Sequence, residues 1–558
     1  MKTAEQPVRH ALLAAAASFG AMFLLYCFRF LDDNRLVSWQ DVFSVAGPFR
    51  FFGMLVPALA AGVLCSRSPA WERAPRLTLF LLGFSASALF WTEPEAILDA
   101  ARYFVQAKHL EVYGPGSFLR EWGRSLTAWT DLPLVPFIYG CLFRVFGESR
   151  SVIQAFNSLV FGLSAVLTFH LGRELWDETT GFYGGLFLLS MPYLYVLTPL
   201  MMVDIAAMFF LLLAVYGTLA GVRRGKWRLG LAVAGVAAAC LTKYSLWLML
   251  TSLGAAGAVA VLRSPDRRAA IFRLLGVLAV SGLLAGLFLW MKHDVVAAQF
   301  DLLGSYQKTG LRRWGESFLS TFLFQVHPAV TLFALVSVPV ALLRRDSGYP
   351  VVLWTVLLVL LLRIERIRYA LVVFPMVSLM ASYGLLSVRK GGWTRSIPWT
   401  SAAASIVLAA AAYLPFLQGL GIANLMHAGR YLDRMDATGA EARLSYAADA
   451  VADPAVLVPL LDLYTQKEIS YQGRREAREP SQEQRESSLR FTWELRLPEE
   501  YGQRGANLSS GPIIVITDAA AGSLPSDRFC GDSGRKREGV FAARDEVYRF
   551  QSEVVVCR

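Results

Sequence analysis

Leu77–Trp91 reads LTLFLLGFSASALFW, and there the apolar run ends: the chain continues Thr92-Glu93-Pro94-Glu95-Ala96-Ile97-Leu98-Asp99-Ala100-Ala101-Arg102-Tyr103-Phe104. A segment with the character of a membrane span thus delivers carboxylates to the membrane edge within a few residues. Proline suits the first position of a helix, where its missing N–H has no helical acceptor, so the sequence predicts a new helix from Pro94. On that helix Glu95, Asp99, Arg102 and Gln106 share one face, and Ile97, Leu98, Ala101, Phe104 and Val105 the other. Such a helix lies along an interface. Carboxylates at a membrane boundary are costly and are therefore functional candidates; the bland alternative is a solvated helix start whose acids answer the helix dipole.

The rest of the chain agrees with a membrane setting. Of its 558 residues, 55% are hydrophobic and 17% charged, well below the charged share of soluble domains. About thirteen apolar segments are legible, near 11–30, 51–66, 77–92, 152–172, 181–199, 203–220, 229–242, 245–262, 271–291, 326–343, 350–363, 369–387 and 398–418. The expected fold is a polytopic α-helical membrane protein. The N-terminal run after Lys2 and Arg9 is long and has no small-residue cleavage motif, so it reads as a retained helix. A net charge of +11 is accounted for by basic loops held on the cytoplasmic side, and no nucleic-acid signature opposes that reading. Cys27, Cys65, Cys141 and Cys240 read as small packing residues, whereas Cys530 and Cys557 could pair if their region is exported.

Basic loops at Ser66–Arg76, Val222–Arg228, Arg263–Arg273, Arg344-Arg345 and Arg389–Arg395 set the topology: N-terminus cytoplasmic, C-terminus periplasmic, in an inner (plasma) membrane if the Arg- and Ala-rich usage is bacterial. An even number of crossings between successive basic loops then puts Lys243 at the outer turn of a hairpin. It also puts Arg363, Glu365, Arg366 and Arg368 outside, against the charge rule. An anionic ligand explains that violation; lipid headgroups or Glu365 as partners are the alternative. Two long outer loops follow, 93–150 with Pro133 and Pro136 opening a second short helix, and 292–325 with Tyr306, Lys308, Arg312 and Arg313. Asp204 heads another span. Three parts are expected: an N-terminal pair of extra helices (1–75), a transmembrane core (76–419) and a small periplasmic α/β domain (420–558). In the last, Ile422–Met435 reads as helix, Ala455–Leu461 and Pro512–Thr517 as strands, Gly473–Arg490 as a charged linker and Glu546–Cys557 as a closing hairpin or strand.

Carboxylates that can take a proton or bind a divalent metal, and cations that can hold a phosphate, therefore collect on the outer face. No nucleotide-binding loop is seen. At this point the chain resembles the GT-C glycosyltransferases, polytopic enzymes that use polyprenyl-phosphate sugars, and especially the branch of the protein O-mannosyltransferases and the lipid A aminoarabinose transferase. The resemblance spans roughly 76–390. Its carriers are Glu93-Pro94-Glu95-Ala96 with Ala101-Arg102-Tyr103, Asp131-Leu132-Pro133-Leu134 with Phe146-Gly147, Ser190-Met191-Pro192 with Met202-Val203-Asp204, Leu241-Thr242-Lys243, and Arg368-Tyr369 with Phe374-Pro375.

The resemblance implies inverting transfer from a polyprenyl-phosphate sugar donor to a protein, lipid or glycan acceptor. Glu93 or Glu95 would be the base and Asp204 a second acidic site residue. Lys243 and Arg368 would contact the donor phosphate, with Arg363 and Arg366 beside them. Asp99, Arg102 and Tyr306 are expected on the acceptor or loop side. The family's acidic pair is usually adjacent, whereas proline separates the two glutamates here. Some relatives use a divalent metal, but no ligand spacing specifies one, and His293-Asp294 and His327 read as structural. Trp91, Trp122, Trp129 and Trp314 could stack on a sugar, though an interfacial aromatic belt explains them equally. The rival readings are a transporter or flippase of lipid-linked glycans, or a non-catalytic envelope scaffold.

Overall fold

The computed structural model describes residues 2–304, 315–388, 393–445, 453–471, 495–498, 500–503, 511–518, 530–531, 534–542 and 552–558. Among these, 8 helices are long and apolar enough to cross a membrane: Arg9–Cys27, Pro48–Arg67, Arg150–Leu175, Asp204–Arg224, Ser245–Leu262, Arg267–Met291, Ile367–Ser387 and Trp393–Gln418. Other expected segments form shorter helices, among them Pro75–Ala88, Trp227–Thr242, Pro328–Arg344 and Tyr349–Leu361. The expected segment 181–199 is two pieces, Glu178–Leu188 and Pro192–Leu197. Pro192 lacks the N–H needed to continue the helix before it. A count made on apolar length alone therefore runs ahead of the helices that have spanning length.

One hairpin fixes the geometry of everything that follows. The Asp204–Arg224 helix turns through Gly225 and Lys226, both at positive φ, into the Trp227–Thr242 helix. The two helices pack backbone to backbone: a Cβ on Gly217 would lie 2.8 Å from Ala232 Cα, and one on Gly235 would lie 2.7 Å from the Ala214 nitrogen. Small residues permit that approach. The antiparallel course returns Lys243 to the end of the molecule where Asp204 begins. At the opposite end Arg223 and Arg224 bind Glu174 at 2.8 and 2.6 Å.

The acidic segment after Trp91 is not helical from Pro94. It stays an irregular turn until the Asp99–Glu121 helix begins. Tertiary bonds outbid the local preference: the Tyr464 hydroxyl accepts the Glu95 N–H at 2.5 Å, and the Glu95 carboxylate is held from two other sides. The expected division into a wet and an apolar face is also absent, since Arg102 and Gln106 are as buried as Ala101 and Phe104. Downstream, Leu134–Phe146 forms the short helix that Pro133 announces.

Beyond residue 420 a helix, Ala423–Leu432, precedes a five-stranded sheet of order β2-β1-β3-β5-β4. Its strands are β1 (Gly439–Ser445), β2 (Glu468–Tyr471), β3 (Ile513–Asp518), β4 (Arg537–Ala542) and β5 (Ser552–Cys557). The first three strands are mutually parallel, and β5 runs antiparallel between β3 and β4. The predicted strand at Ala455–Leu461 is instead part of a helix, Pro454–Leu463. Its start is capped by Asp453, which accepts the Ala455 N–H at 2.9 Å, with proline at the first helical position. A continuous apolar run cannot be told from a buried helix by periodicity, and the cap decides. Strand β3 lies where Pro512–Thr517 predicts it. Cys530 and Cys557 form a disulfide with a Cα–Cα distance of 5.5 Å. The charged stretch Gly473–Arg490 lies outside the described residues.

Candidate active site

Four segments end at the same place: the start of the Asp99 helix, the start of the Asp204 helix, the turn after Thr242, and the turn before Ile367. Lys243 Nζ donates to Asp204 Oδ1 at 2.7 Å. Arg368 bridges two carboxylates, with Nη2 on Asp204 Oδ2 at 3.3 Å and Nη1 on Asp99 Oδ2 at 3.0 Å. Arg102, one turn after Asp99, reaches Asp99 Oδ1 at 3.5 Å and also pairs with Asp131. The Tyr103 hydroxyl donates to Asp131 Oδ2 at 2.6 Å. The Lys243 ammonium sits 4.6 Å from the centre of the Tyr369 ring, and the Arg366 guanidinium 5.3 Å from the same ring.

The order of charge is therefore Lys243, Asp204, Arg368, Asp99, Arg102, Asp131, alternating in sign. Asp204 is stabilised further by sitting in the first turn of its helix. Burial opposes ionisation of Asp99, but Arg368 and Arg102 outweigh it and hold the carboxyl below its ordinary value. Burial likewise opposes the charge on Arg102, and Asp131 reverses the effect, raising its pKa. Arg102 Nε and Nη1 and Arg368 Nε are buried donors with no acceptor among the described residues. That is donor capacity in excess of what the three carboxylates take up.

A second charged group lies behind the first. Arg150 opens the Arg150–Leu175 helix, where the dipole disfavours a cation, and is compensated by Glu95, with Nε on Oε1 at 2.8 Å. Its Nη2 also donates to the Glu93 carbonyl at 2.6 Å. Glu95 Oε2 accepts the Met201 N–H at 3.0 Å. Two more bonds grip the same turn: Tyr139 donates to the Met202 carbonyl at 2.7 Å and Asn157 to the Leu200 carbonyl at 2.8 Å. Glu95 thus pins the turn that presents Asp204, without joining the Asp204 cluster. Glu93 is fully buried with both carboxyl oxygens unpartnered among the described residues. Burial pushes its pKa well above the ordinary carboxylate range, against the pull of Arg150.

Of the residues singled out in the sequence, the structure brings Asp204, Lys243, Arg368, Asp99 and Arg102 into one network. It sets Glu93 and Glu95 apart from that network. Arg366 is half-buried beside Tyr369, whereas Arg363 is exposed, at φ 50° just after the Tyr349–Leu361 helix. Tyr306 lies outside the described residues, as do Lys308, Arg312, Arg313 and Trp314. His327 caps its own helix and meets Ser18 at 2.8 Å, and His293 turns back to the Trp290 carbonyl. Trp122 and Trp129 are buried, and Trp91 donates to Ser158.

Four participants were given no site role in the sequence reading: Asp131, Tyr103, Arg150 and Tyr369. Asp131, Tyr103 and Tyr369 stand in the motifs that carry the resemblance, and Arg150 had its own signal, since a lone arginine at the N-terminus of an apolar helix calls for an acid nearby. Asp99 and Asp204 are the nearest thing to a metal ligand pair, but Arg368 bridges them, and no group of three His, Cys, Asp or Glu residues that could hold a metal is found among the described residues. This donor set does not fit a metal ion without displacing Arg368.

Residues 131–303 match the dolichyl-phosphate-mannose-protein mannosyltransferase family. The fold is similar to ArnT from Cupriavidus metallidurans bound to undecaprenyl phosphate, with TM-score 0.56 and 10% identity over 88% of this chain and 98% of that one. Against the apo state of the same protein the TM-score is 0.54 at 9% identity, covering 87% and 97%. The archaeal oligosaccharyltransferase AglB from Archaeoglobus fulgidus, in complex with an inhibitory peptide and a dolichol-phosphate, gives TM-score 0.43 at 12% identity over 80% and 70%. No curated protein sequence matches the chain significantly. The chain is a multi-pass membrane protein of GT-C fold, resembling the branch that contains the protein O-mannosyltransferases and ArnT.

Proposed function

We propose that the protein is a glycosyltransferase that moves a sugar from a polyprenyl-phosphate donor to an acceptor on the periplasmic face of the membrane. The observation that carries the proposal is the sharing of Arg368 by Asp99 and Asp204, with Lys243 on the far side of Asp204. Charges from four distant stretches of sequence are held together at one end of the membrane helices, and the spare guanidinium donors suit a phosphate. The Cys530–Cys557 disulfide supports an oxidising compartment for the C-terminal strands.

In this reading the donor phosphate engages Arg102, Arg368 and Lys243. The acceptor hydroxyl oxygen attacks the anomeric carbon from the face opposite the phosphate. The bond from that carbon to the phosphate oxygen breaks, and its electron pair leaves with polyprenyl phosphate, whose charge the cations stabilise. The hydroxyl proton passes to a carboxylate. We assign that base to Asp99 rather than to Glu93 or Glu95. Its side chain is 17% exposed, against 10% for Asp131, 1% for Asp204 and 0% for Glu95. As phosphate draws Arg102 and Arg368 away from it, Asp99 becomes more basic. Glu95 acts through Arg150 and the Met201 turn as a positioning residue.

Comparative glycolipid and glycoprotein profiling of cells tests the assignment. Cells carrying Asp99→Asn should lack the same glycan as a deletion strain, with the variant present in the membrane at the wild-type level. Full restoration of the glycan by Asp99→Asn would overturn it.

A further inference from the structure

The two N-terminal helices, Lys2–Cys27 and Pro48–Arg67, contribute nothing to the charge network, yet the turn between them is unusually well bonded to another part of the chain. Asp32 accepts from the Trp39 N–H at 2.8 Å, the Asn34 N–H at 3.2 Å, Ser320 Oγ at 2.5 Å and Gln325 Nε2 at 2.9 Å. Asp33 Oδ1 accepts the Ser317 N–H at 3.0 Å and its hydroxyl at 3.1 Å. Gln325 also donates to the Val37 carbonyl at 3.1 Å and accepts from Tyr413, which in turn accepts from the Trp39 indole at 2.8 Å. The turn at 32–39 is thus a bracket on the segment 316–325.

That segment has a second side. Glu316 is 5% exposed. One carboxylate oxygen accepts the Arg35 N–H at 3.4 Å and the other the Ile367 N–H at 2.8 Å. Thr321 Oγ1 donates to the Glu365 carbonyl at 3.0 Å. Ile367 is the residue before Arg368, so a single buried carboxylate ties the N-terminal bracket to the backbone that carries the bridging arginine. A buried carboxylate that accepts two backbone amides from separate segments fixes their relative position.

We infer that the N-terminal helical pair is a positioning module for the arginine turn, and that Glu316 is the residue through which it sets where Arg368 stands. The inference rests on the donor-phosphate reading of Arg368 only for its effect on the reaction; the mechanical link stands on the bonds above. Glu316→Gln keeps the shape but turns one acceptor into a donor, so one of the two amides loses its partner. Thr321→Val removes the neighbouring bond without touching a charge and serves if the first variant is not recovered folded.

Hydrogen–deuterium exchange on the full chain in detergent provides the test, with undecaprenyl phosphate as the binding probe. Glu316→Gln should raise exchange of the 365–370 amides about tenfold, the cost of losing one bond to a charged acceptor. Exchange of the 99–108 amides and the thermal midpoint should stay unchanged, which a general loosening of the fold would not produce. Undecaprenyl phosphate affinity should fall by a similar factor. If exchange at 365–370 is unaltered in both folded variants, the positioning role is overturned. If exchange rises while wild-type protein does not bind the lipid phosphate, the positioning role holds and the donor reading fails.

Discussion

Two charged groups, built from the same kinds of side chain and supplied by the same acidic segment, have opposite characters. In the forward group, Lys243, Asp204, Arg368, Asp99, Arg102 and Asp131 alternate in sign, keep partial exposure at Asp99, and leave guanidinium donors without acceptors among the described residues. In the rear group, Arg150 meets Glu95 at full burial, and the carboxylate's second oxygen is taken by the Met201 amide. A saturated, sealed pair can only hold structure. An accessible group with surplus donors can exchange a partner for a ligand. In the proposed reading, leftover bonding capacity and access choose the carboxylate that does chemistry, and two adjacent stretches of one segment fall on different sides of that line.

The sharpest way to break the comparison is to neutralise one member of each group. Asp99→Asn should lower the transfer rate by about 10²–10⁴-fold, the usual contribution of a general base, with the thermal midpoint within a few degrees of wild type. Rate measurement on purified protein with a polyprenyl-phosphate sugar, alongside thermal unfolding, checks both halves. Glu95→Gln should do the reverse kind of damage. It leaves Arg150 as an uncompensated buried cation, costing about 3–5 kcal/mol of stability, so loss of activity should follow loss of folded protein. If Glu95→Gln were instead as stable as wild type and inactive, the rear group would be the chemical one.

A smaller effect is expected from Lys243→Ala. It removes one cation from the donor side and frees Asp204 to rely on Arg368 alone, weakening undecaprenyl phosphate binding by about tenfold as measured by titration. Smallest is Glu93→Gln. The folded carboxyl is raised above its unfolded pKa of about 4.3, so its contribution is fully present below that pH and is lost as pH rises through the folded value. The stability of wild type relative to Glu93→Gln should therefore decline with increasing pH, with the two nearly equal in acid. Thermal midpoints of both proteins from about pH 4 to about pH 9 decide this, and a difference that grows in favour of wild type at high pH would show that Glu93 is ionised and partnered.

The abrupt end of an apolar run at Trp91 gave the membrane setting, and the basic loops gave the parity that carried Lys243 to the Asp204 end of its hairpin. Both readings depend on properties of consecutive residues, hydropathy and charge, that burial in lipid does not change. The same sequence misread Pro94 as a helix start and Ala455–Leu461 as a strand. In the first case Tyr464 and Arg150, from remote parts of the chain, claim the groups on which the local preference relies. In the second an aspartate cap chooses between two structures that a continuous apolar run supports equally.

Composition and order along the chain determined that this protein crosses a membrane many times and gathers acids and bases at one boundary. Tertiary structure alone decided which of them stand together, because pairing energy falls steeply with distance and desolvation, and neither is written in the spacing of residues. Asp99 and Glu95 are separated by one turn of chain; packing places one beside open donors and encloses the other behind Arg150.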